Sequence, residues 1–568
     1  MTQPATLFEK HKDVLNAALI ACDTRAHWSP FKESPSTKIH GVDAPMIGKA
    51  RFEAQLNQPF ELDQPGEIGR TGSEVSPYTQ AALGIDYPKS DVDVLFKVSK
   101  AAMDKWRDTD IKTRAGLCIE MLFELEKQAF ENAHATMHTA GQSYLMAFSG
   151  SGANALDRGM EALAYAYKAQ DGLPQSAIWE KDFGKTGKVR LRKTYELRPR
   201  GTAIVICCAT FPLWNAYPAV FANLMTGNPV ILKPHPNGIL PVAMAARVCR
   251  SVLAREGFDP NLVLMAADTR DAPVTIDLLE HRSAKIVDYT GSQAFGHWIE
   301  QNCRDKLVYT ETAGCNAVVI ESSDDIEGTI AGLANCLCAF SAQMCTTPQN
   351  IHIPETGIAT DQGHWSFEQF RDRLCDAISE RVQNDGAAAR LCGALQAEQS
   401  LNILRKLRAS ACDTVAIARD WDHYIHPDFP QARTATPLVL EVTPEAEHLF
   451  QEEHFAPVSF LIREKDAEGA LEHATQNAER FGAISSYLYS ADPSFSQKAR
   501  RAFADAGASL WCNMGGRMPI NFAAAYSDFH VTGLNPAGNA CLTDLAFVAD
   551  RFRVVQFREP IPMDGSAA

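Results

Sequence analysis

Two side chains with chemistry of their own stand near the middle of the 568-residue chain: Glu311, in LVYTETAG, and Cys345, in SAQMC, 34 residues further on. A thiol becomes a nucleophile when a base or an electropositive pocket turns it into a thiolate. A nearby carboxylate can take that proton or activate a water for a later step. Taken singly, one cysteine among fifteen reads as a small buried hydrophobe, and a glutamate as a solvated charge. The pair carries meaning only if the fold brings the two together.

The elements that would position them can be read from the pattern. Glu311 follows a β-like run, Leu307 to Thr310, and precedes the small residues Ala313 and Gly314, which would let a flat ligand approach the backbone. Ile326, Ile330, Leu333 and Leu337 recur at helical spacing and predict a helix leading into SAQMC, so Cys345 falls in a loop. From Gly201 onward, GTAIVICC, PVILK, LVLMA, KIVDYT and KLVYT are short apolar runs separated by helical segments, as in parallel strands covered on both faces. They predict a doubly wound α/β sheet with ligands at the carboxyl ends of its strands. Upstream, apolar residues between Asp91 and Lys168 recur at helical spacing. GKVRLRKTYELRP (Gly187 to Pro199) reads as an exposed strand, and RVVQFR (Arg553 to Arg558) as a terminal strand suited to pairing.

Composition narrows the function classes. A net charge of -15 argues against nucleic-acid or anionic-membrane partners, which select clusters of Lys and Arg. The apolar run near Ala203 to Ala209 is far shorter than the roughly 20 residues a membrane helix needs. The N-terminus lacks the features of a signal peptide, and fifteen cysteines without one predict reduced thiols in the cytoplasm. No CxxC occurs, and Cys336 and Cys338 would point to different helix faces, so no metal site is expected.

The spacing of ETAGC and AQMC resembles that of the aldehyde dehydrogenase superfamily, in which a Glu in E-L-G-G-K precedes the nucleophilic Cys of G-Q-x-C by the same interval. Further motifs follow in family order: ATFPLWNAYP, GNPVILKPHP, GSQAFG after the fourth run, EEHFAPV, and SLWCN. The resemblance covers about residues 75 to 560. It implies an α/β fold with a Rossmann-type cofactor domain over 200–313, a catalytic domain over 314–515 and a small β oligomerisation arm. That arm would comprise a hairpin at 181–199 and a strand within the return segment 516–568. Residues 1–180 would form an N-terminal helical extension and the first part of the cofactor domain.

The resemblance also implies roles. Cys345 would attack an aldehyde, and Glu311 would activate the water that hydrolyses the resulting thioester. Counting back from Gly227, the family's oxyanion Asn falls on Thr210, whose hydroxyl can still donate; Asn215 lies five positions too late. Lys233 would meet the adenosine ribose, Gly291 and Ser292 the pyrophosphate at a helix start, and Glu453 and Phe455 the nicotinamide ribose and ring. The cofactor would be NADP or NAD. Pro236 stands where NAD-preferring members often carry Glu, so Lys233 would meet no competing carboxylate, and NADP is expected to serve at least as well.

More narrowly, ATFPLWNAYP, GNPVILKPHP and the long N-terminal extension look like the PaaN-type aldehyde dehydrogenases of phenylacetic acid degradation. The expected substrate is a small-molecule aldehyde, free or coenzyme A-linked. The expected assembly is a homodimer or dimer of dimers, and with the chain ending at Ala568 no ring-opening activity is expected. Three alternatives stand beside this reading: a coenzyme A-acylating enzyme, a non-catalytic nucleotide or acyl-CoA binder, and a cysteine esterase.

Overall fold

A computed structural model describes residues 4–312, 314–516 and 524–562. Ala313 and Ala568, named above, lie outside the described residues. The five apolar runs form strands β1 (Thr202–Ile206), β2 (Val230–Lys233), β3 (Val263–Met265), β4 (Ala284–Gly291) and β5 (Leu307–Thr312). They pair in the order β3-β2-β1-β4-β5, and every pairing is parallel. All five carboxyl ends therefore share one edge, and the order reverses between β1 and β4, which opens a crevice there. Ile204, Ile231, Val287 and their neighbours are buried on both faces, as continuous apolar strands require.

A second sheet holds β6 (Ala317–Ile320), β7 (Asn350–Pro354), β8 (Val415–Arg419), β9 (Leu438–Val442), β10 (Val458–Glu464), β11 (Ser485–Tyr489) and β12 (Ser509–Cys512). Its order is β8-β9-β10-β7-β6-β11-β12, parallel except for the edge pair β8–β9. The predicted helix is Ile326–Cys338, with Ile326, Ile330, Leu333 and Leu337 all buried.

A third sheet has three strands: Lys188–Pro199 in the middle, Ser176–Asp182 on one side and Phe552–Pro560 on the other, both antiparallel. The arm thus begins at Ser176, earlier than 181, and its two expected strands pair with each other within the chain. The N-terminal helix Pro4–Thr24 adds Leu7, Leu15 and Ala18 to a core shared with Leu117, Met121 and Leu163. Among the described residues no helix is long and apolar enough to cross a membrane.

Residues 524–551 run back over the carboxyl edge of the first sheet. Thr312 N donates to Ala537 O at 2.7 Å, and Thr310 N to the Asn539 side chain at 2.8 Å. Gly538 bridges Glu311, where a Cβ would meet Thr310 O at 2.4 Å, so only glycine fits against β5. Arg551 anchors the far end. Its guanidinium makes a two-point contact to Asp288 on β4, at 2.9 and 2.5 Å, and both groups are buried.

Candidate active site

Glu311 ends β5 at the crevice and is buried. Cys345 reaches the same place from the other domain, through a turn whose backbone is unusual. Phe340, Ser341 and Ala342, none of them glycine, all adopt left-handed conformations, with φ of 49°, 49° and 54°. Each costs about 1–2 kcal/mol in an L-residue, so the surroundings must hold the turn. They do so with buried contacts: Phe340 is fully buried, Ser341 Oγ donates to Cys392 O at 3.2 Å, and Gln343 bridges Ala394 O and Gln396 N. Asn316, at the entry to β6, donates to Cys345 O at 2.7 Å and Thr347 O at 3.0 Å, which fixes the loop.

A third reactive group joins these two. His530, on the return segment, places Nε2 3.0 Å from Glu311 Oε1 and 3.8 Å from Cys345 Sγ. The thiol, carboxylate and imidazole atoms all lie within 4.8 Å of one another. His530 Nδ1 faces Asp528 at 3.4 Å, and Asp528 is ion-paired with the buried Arg158 of the Asn154–Asp171 helix. Arg158 also meets Glu161 at 3.1 Å, and Glu161 meets Arg25 of the N-terminal extension at 2.7 Å. Trp214 packs edge-on against the imidazole, with ring centroids 4.7 Å apart, and Arg158 lies over the same indole.

This setting shifts the titrating groups. Burial alone would favour neutral imidazole, but the Glu311 charge and the Asp528 contact raise His530 well above its usual range. Burial pushes the Cys345 thiol up, against the pull of His530. Burial also disfavours ionised Asp528, yet Arg158 and His530 hold it well below the usual carboxylate range.

A cavity of about 350 Å³ opens beside the thiol. Met146, Phe211, Trp214 and Leu391 give it apolar walls, and Asn215, Glu33 and His530 supply its polar points. Thr210, expected at the oxyanion position, is not among the lining residues; its carbonyl accepts from Gln142 at 2.6 Å. Asn215 takes that side of the cavity. Its Nδ2 donates to Glu311 Oε2 at 2.9 Å, and its Oδ1 lies 3.8 Å from Cys208 Sγ, leaving a second amide N–H for a ligand. Gly314 is small for a different reason than ligand access, because a Cβ there would meet Gly482 O at 2.4 Å.

Of the residues expected to hold the cofactor, Lys233 and Gly291 stand at the carboxyl ends of β2 and β4. Gly291 ends β4, and a Cβ there would strike Tyr289 Oη at 2.5 Å. Ser292 opens the Gln293–Asn302 helix without a side-chain cap, so the helix start keeps N–H groups for an anion. This cradle fits a pyrophosphate. Glu453 sits in a loop tied by Gln349, which bonds Glu452 O and His454 N, and Phe455 O accepts from Ser400. Burial raises the Glu453 carboxyl well above its usual range.

Lys233 corrects an expectation. It is not free of carboxylates: Nζ lies 2.8 Å from Asp268 Oδ1, in the turn after β3, and both groups are buried. Burial also lowers His235 to about 4, so it brings no positive charge at neutral pH.

The sequence model of the aldehyde dehydrogenase family matches residues 68–524. The chain belongs to this family. It is an oxidoreductase acting on aldehydes, and its cofactor is NAD or NADP. The fold agrees with that of a NAD-dependent aldehyde dehydrogenase from Burkholderia multivorans, at TM-score 0.95 and 41% identity, covering 98% of this chain and 99% of that one. An aldehyde dehydrogenase of Fusarium sp is 26% identical over 74% of this chain and 83% of its own length. The Thermus 1-pyrroline-5-carboxylate dehydrogenase with bound NAD shares the fold at TM-score 0.73 and 18% identity, covering 94% and 99%.

Two residues of this aldehyde dehydrogenase site escape a reading of the sequence, and a third is set aside by it. His530 and Asp528 lie about 185 residues beyond Cys345, in DFH, which has no periodicity or spacing to mark it. Asn215 is visible in WNAYP but sits out of register with the family count, and only the turn after β1 brings it to the thiol.

Proposed function

We propose that the enzyme oxidises an aldehyde to a carboxylic acid through a covalent thioester on Cys345. The observation that carries this reading is the meeting of Cys345 and Glu311, from two domains, with Cys345 on the wall of a largely apolar cavity. The Cys345 thiolate adds to the aldehyde carbon, and the oxyanion receives the Cys345 N–H and the second amide N–H of Asn215. The nicotinamide cofactor, when bound, accepts hydride from that carbon. Glu311 then deprotonates a water, which hydrolyses the thioester and restores the thiol. Retention of Glu311 favours water over free coenzyme A as acyl acceptor.

The substrate class follows the narrower resemblance: a semialdehyde of aromatic catabolism, as in phenylacetic acid degradation, with or without a coenzyme A tail. The cavity's aromatic and thioether lining supports an apolar body next to the aldehyde. We assign the cofactor to NAD in preference to NADP, because Asp268 already neutralises Lys233 and would oppose a 2′-phosphate. The Burkholderia relative is named for NAD. Incubating the enzyme with a panel of aldehydes and each cofactor, and identifying the product by mass, tests the whole reading. Acid as product supports it; an acyl-CoA thioester formed only with added coenzyme A would move the enzyme to the acylating class.

A further inference from the structure

The family match ends at residue 524, so neither Asp528 nor His530 falls within the span it describes. Yet His530 Nε2 lies 3.8 Å from Cys345 Sγ, and its side chain is 1% exposed. We infer that His530 is a catalytic residue of this enzyme: as an imidazolium it holds Cys345 as a thiolate before cofactor or aldehyde binds, with Asp528 and Arg158 as its positioning residues. The inference rests on the reading of Cys345 as nucleophile.

Four elements face the imidazole. β5 brings Glu311, the loop before β7 brings Cys345, the turn after β1 brings Trp214, and the return segment itself brings Asp528. Behind Asp528 stand Arg158 and Glu161 from one helix and Arg25 from the extension. The charges along this chain balance if the ring is charged. Arg25, Arg158 and the imidazolium then face Glu161, Asp528 and Glu311. A neutral ring would leave one buried carboxylate without a counter-charge.

To form the thiolate the Sγ–H bond breaks and its proton leaves to solvent through the cavity that Cys345 lines. Nε2 keeps its hydrogen, facing the thiolate at 3.8 Å and Glu311 Oε1 at 3.0 Å, and Glu311 is left free to activate the hydrolytic water. No electrons change hands. Carboxylates flank the ring on both sides, Glu311 at 3.0 Å from Nε2 and Asp528 at 3.4 Å from Nδ1, as an imidazolium would require.

The test is alkylation of Cys345 by iodoacetamide in the absence of cofactor, in which the thiolate displaces iodide. The Cys345 peptide is followed by mass across about pH 5.5 to 9.5, a range that spans the ordinary thiol pKa of about 8.5. The wild-type rate is expected to remain near its plateau down to about pH 6.5. His530→Gln is expected to lose about tenfold or more at that pH and to recover as pH rises past the ordinary thiol value. Asp528→Asn is expected to shift the profile the same way by less. Superimposable profiles for wild type and His530→Gln would overturn the inference. So would a wild-type midpoint at the ordinary thiol value, which decides the matter even if the variant fails to fold. Turnover surviving in Cys345→Ala is a separate outcome that overturns the nucleophile reading itself.

Discussion

The side-chain amide of Asn215 has two N–H groups and one is already committed, 2.9 Å from Glu311. Asn215 lines the cavity beside Cys345 and its other N–H is open to an oxyanion there, whereas Thr210 is not among the lining residues. Asn215→Ala is therefore expected to lower kcat/KM by about 10²–10³, the usual loss for one oxyanion donor, while Thr210→Ala changes it by less than about threefold. Measured in parallel, the reverse order would return the role to Thr210. Cofactor choice is also a matter of single residues. Lys233 reads from GNPVILKP as a cofactor lysine, but its neutralising partner comes from the turn after another strand, and no local pattern could announce Asp268. Asp268→Asn is expected to raise the NADP/NAD ratio of kcat/KM by about tenfold, one charge contact of ~1.4 kcal/mol. Pro236→Glu should lower that ratio further. A wild-type preference for NADP would reject the assignment of Asp268.

Elements were readable where one period dominates. The five parallel strands and the Ile326–Cys338 helix stand where apolar spacing puts them, because burying those faces is what selects them. The left-handed turn at Phe340 to Ala342 could not be read, since none of the three residues favours that conformation and only tertiary contacts hold it. The N-terminal extension is legible as helical, but not what it packs on. Its polar contacts give it a role: Arg25 closes the ion-pair chain to His530, Ser29 bonds Asp157 at 2.8 Å, and Glu33 reaches the cavity. Burial raises Asp157 to about 8, against the Ser29 bond. In the unfolded chain this group titrates at about 3.9, so the folded state binds the extra proton between the two values. Stability from this site is therefore full below about pH 4 and is lost as pH rises towards 8. Asp157→Asn cannot ionise, and its melting temperature relative to wild type is expected to be higher at pH 8 than at pH 5. A difference independent of pH would assign the shift elsewhere.

At the scale of the whole molecule, the outer strands of the three-stranded arm are almost wholly exposed. Both of its outer edges lack a strand among the described residues, and Ile178, Val554, Val555 and Phe557 are between 42% and 55% exposed. Edges and apolar residues of this kind are normally covered in soluble proteins, which supports a second copy of the chain as partner. Truncation after Asp550 removes Phe552–Pro560 and is expected to reduce the oligomer to a smaller species by light scattering; an unchanged mass would remove the arm from assembly. The reacting groups come from two domains, β5 offering Glu311 and the strained turn offering Cys345, with the return segment closing over both. The account stands or falls on the order of events there. In Glu311→Gln, the His530 imidazolium still faces the thiolate, so one equivalent of reduced cofactor per site should appear rapidly, turnover should then stall, and intact mass should show an acyl group on Cys345. Steady turnover without a stall, or a stall with no acyl adduct on Cys345, would contradict it.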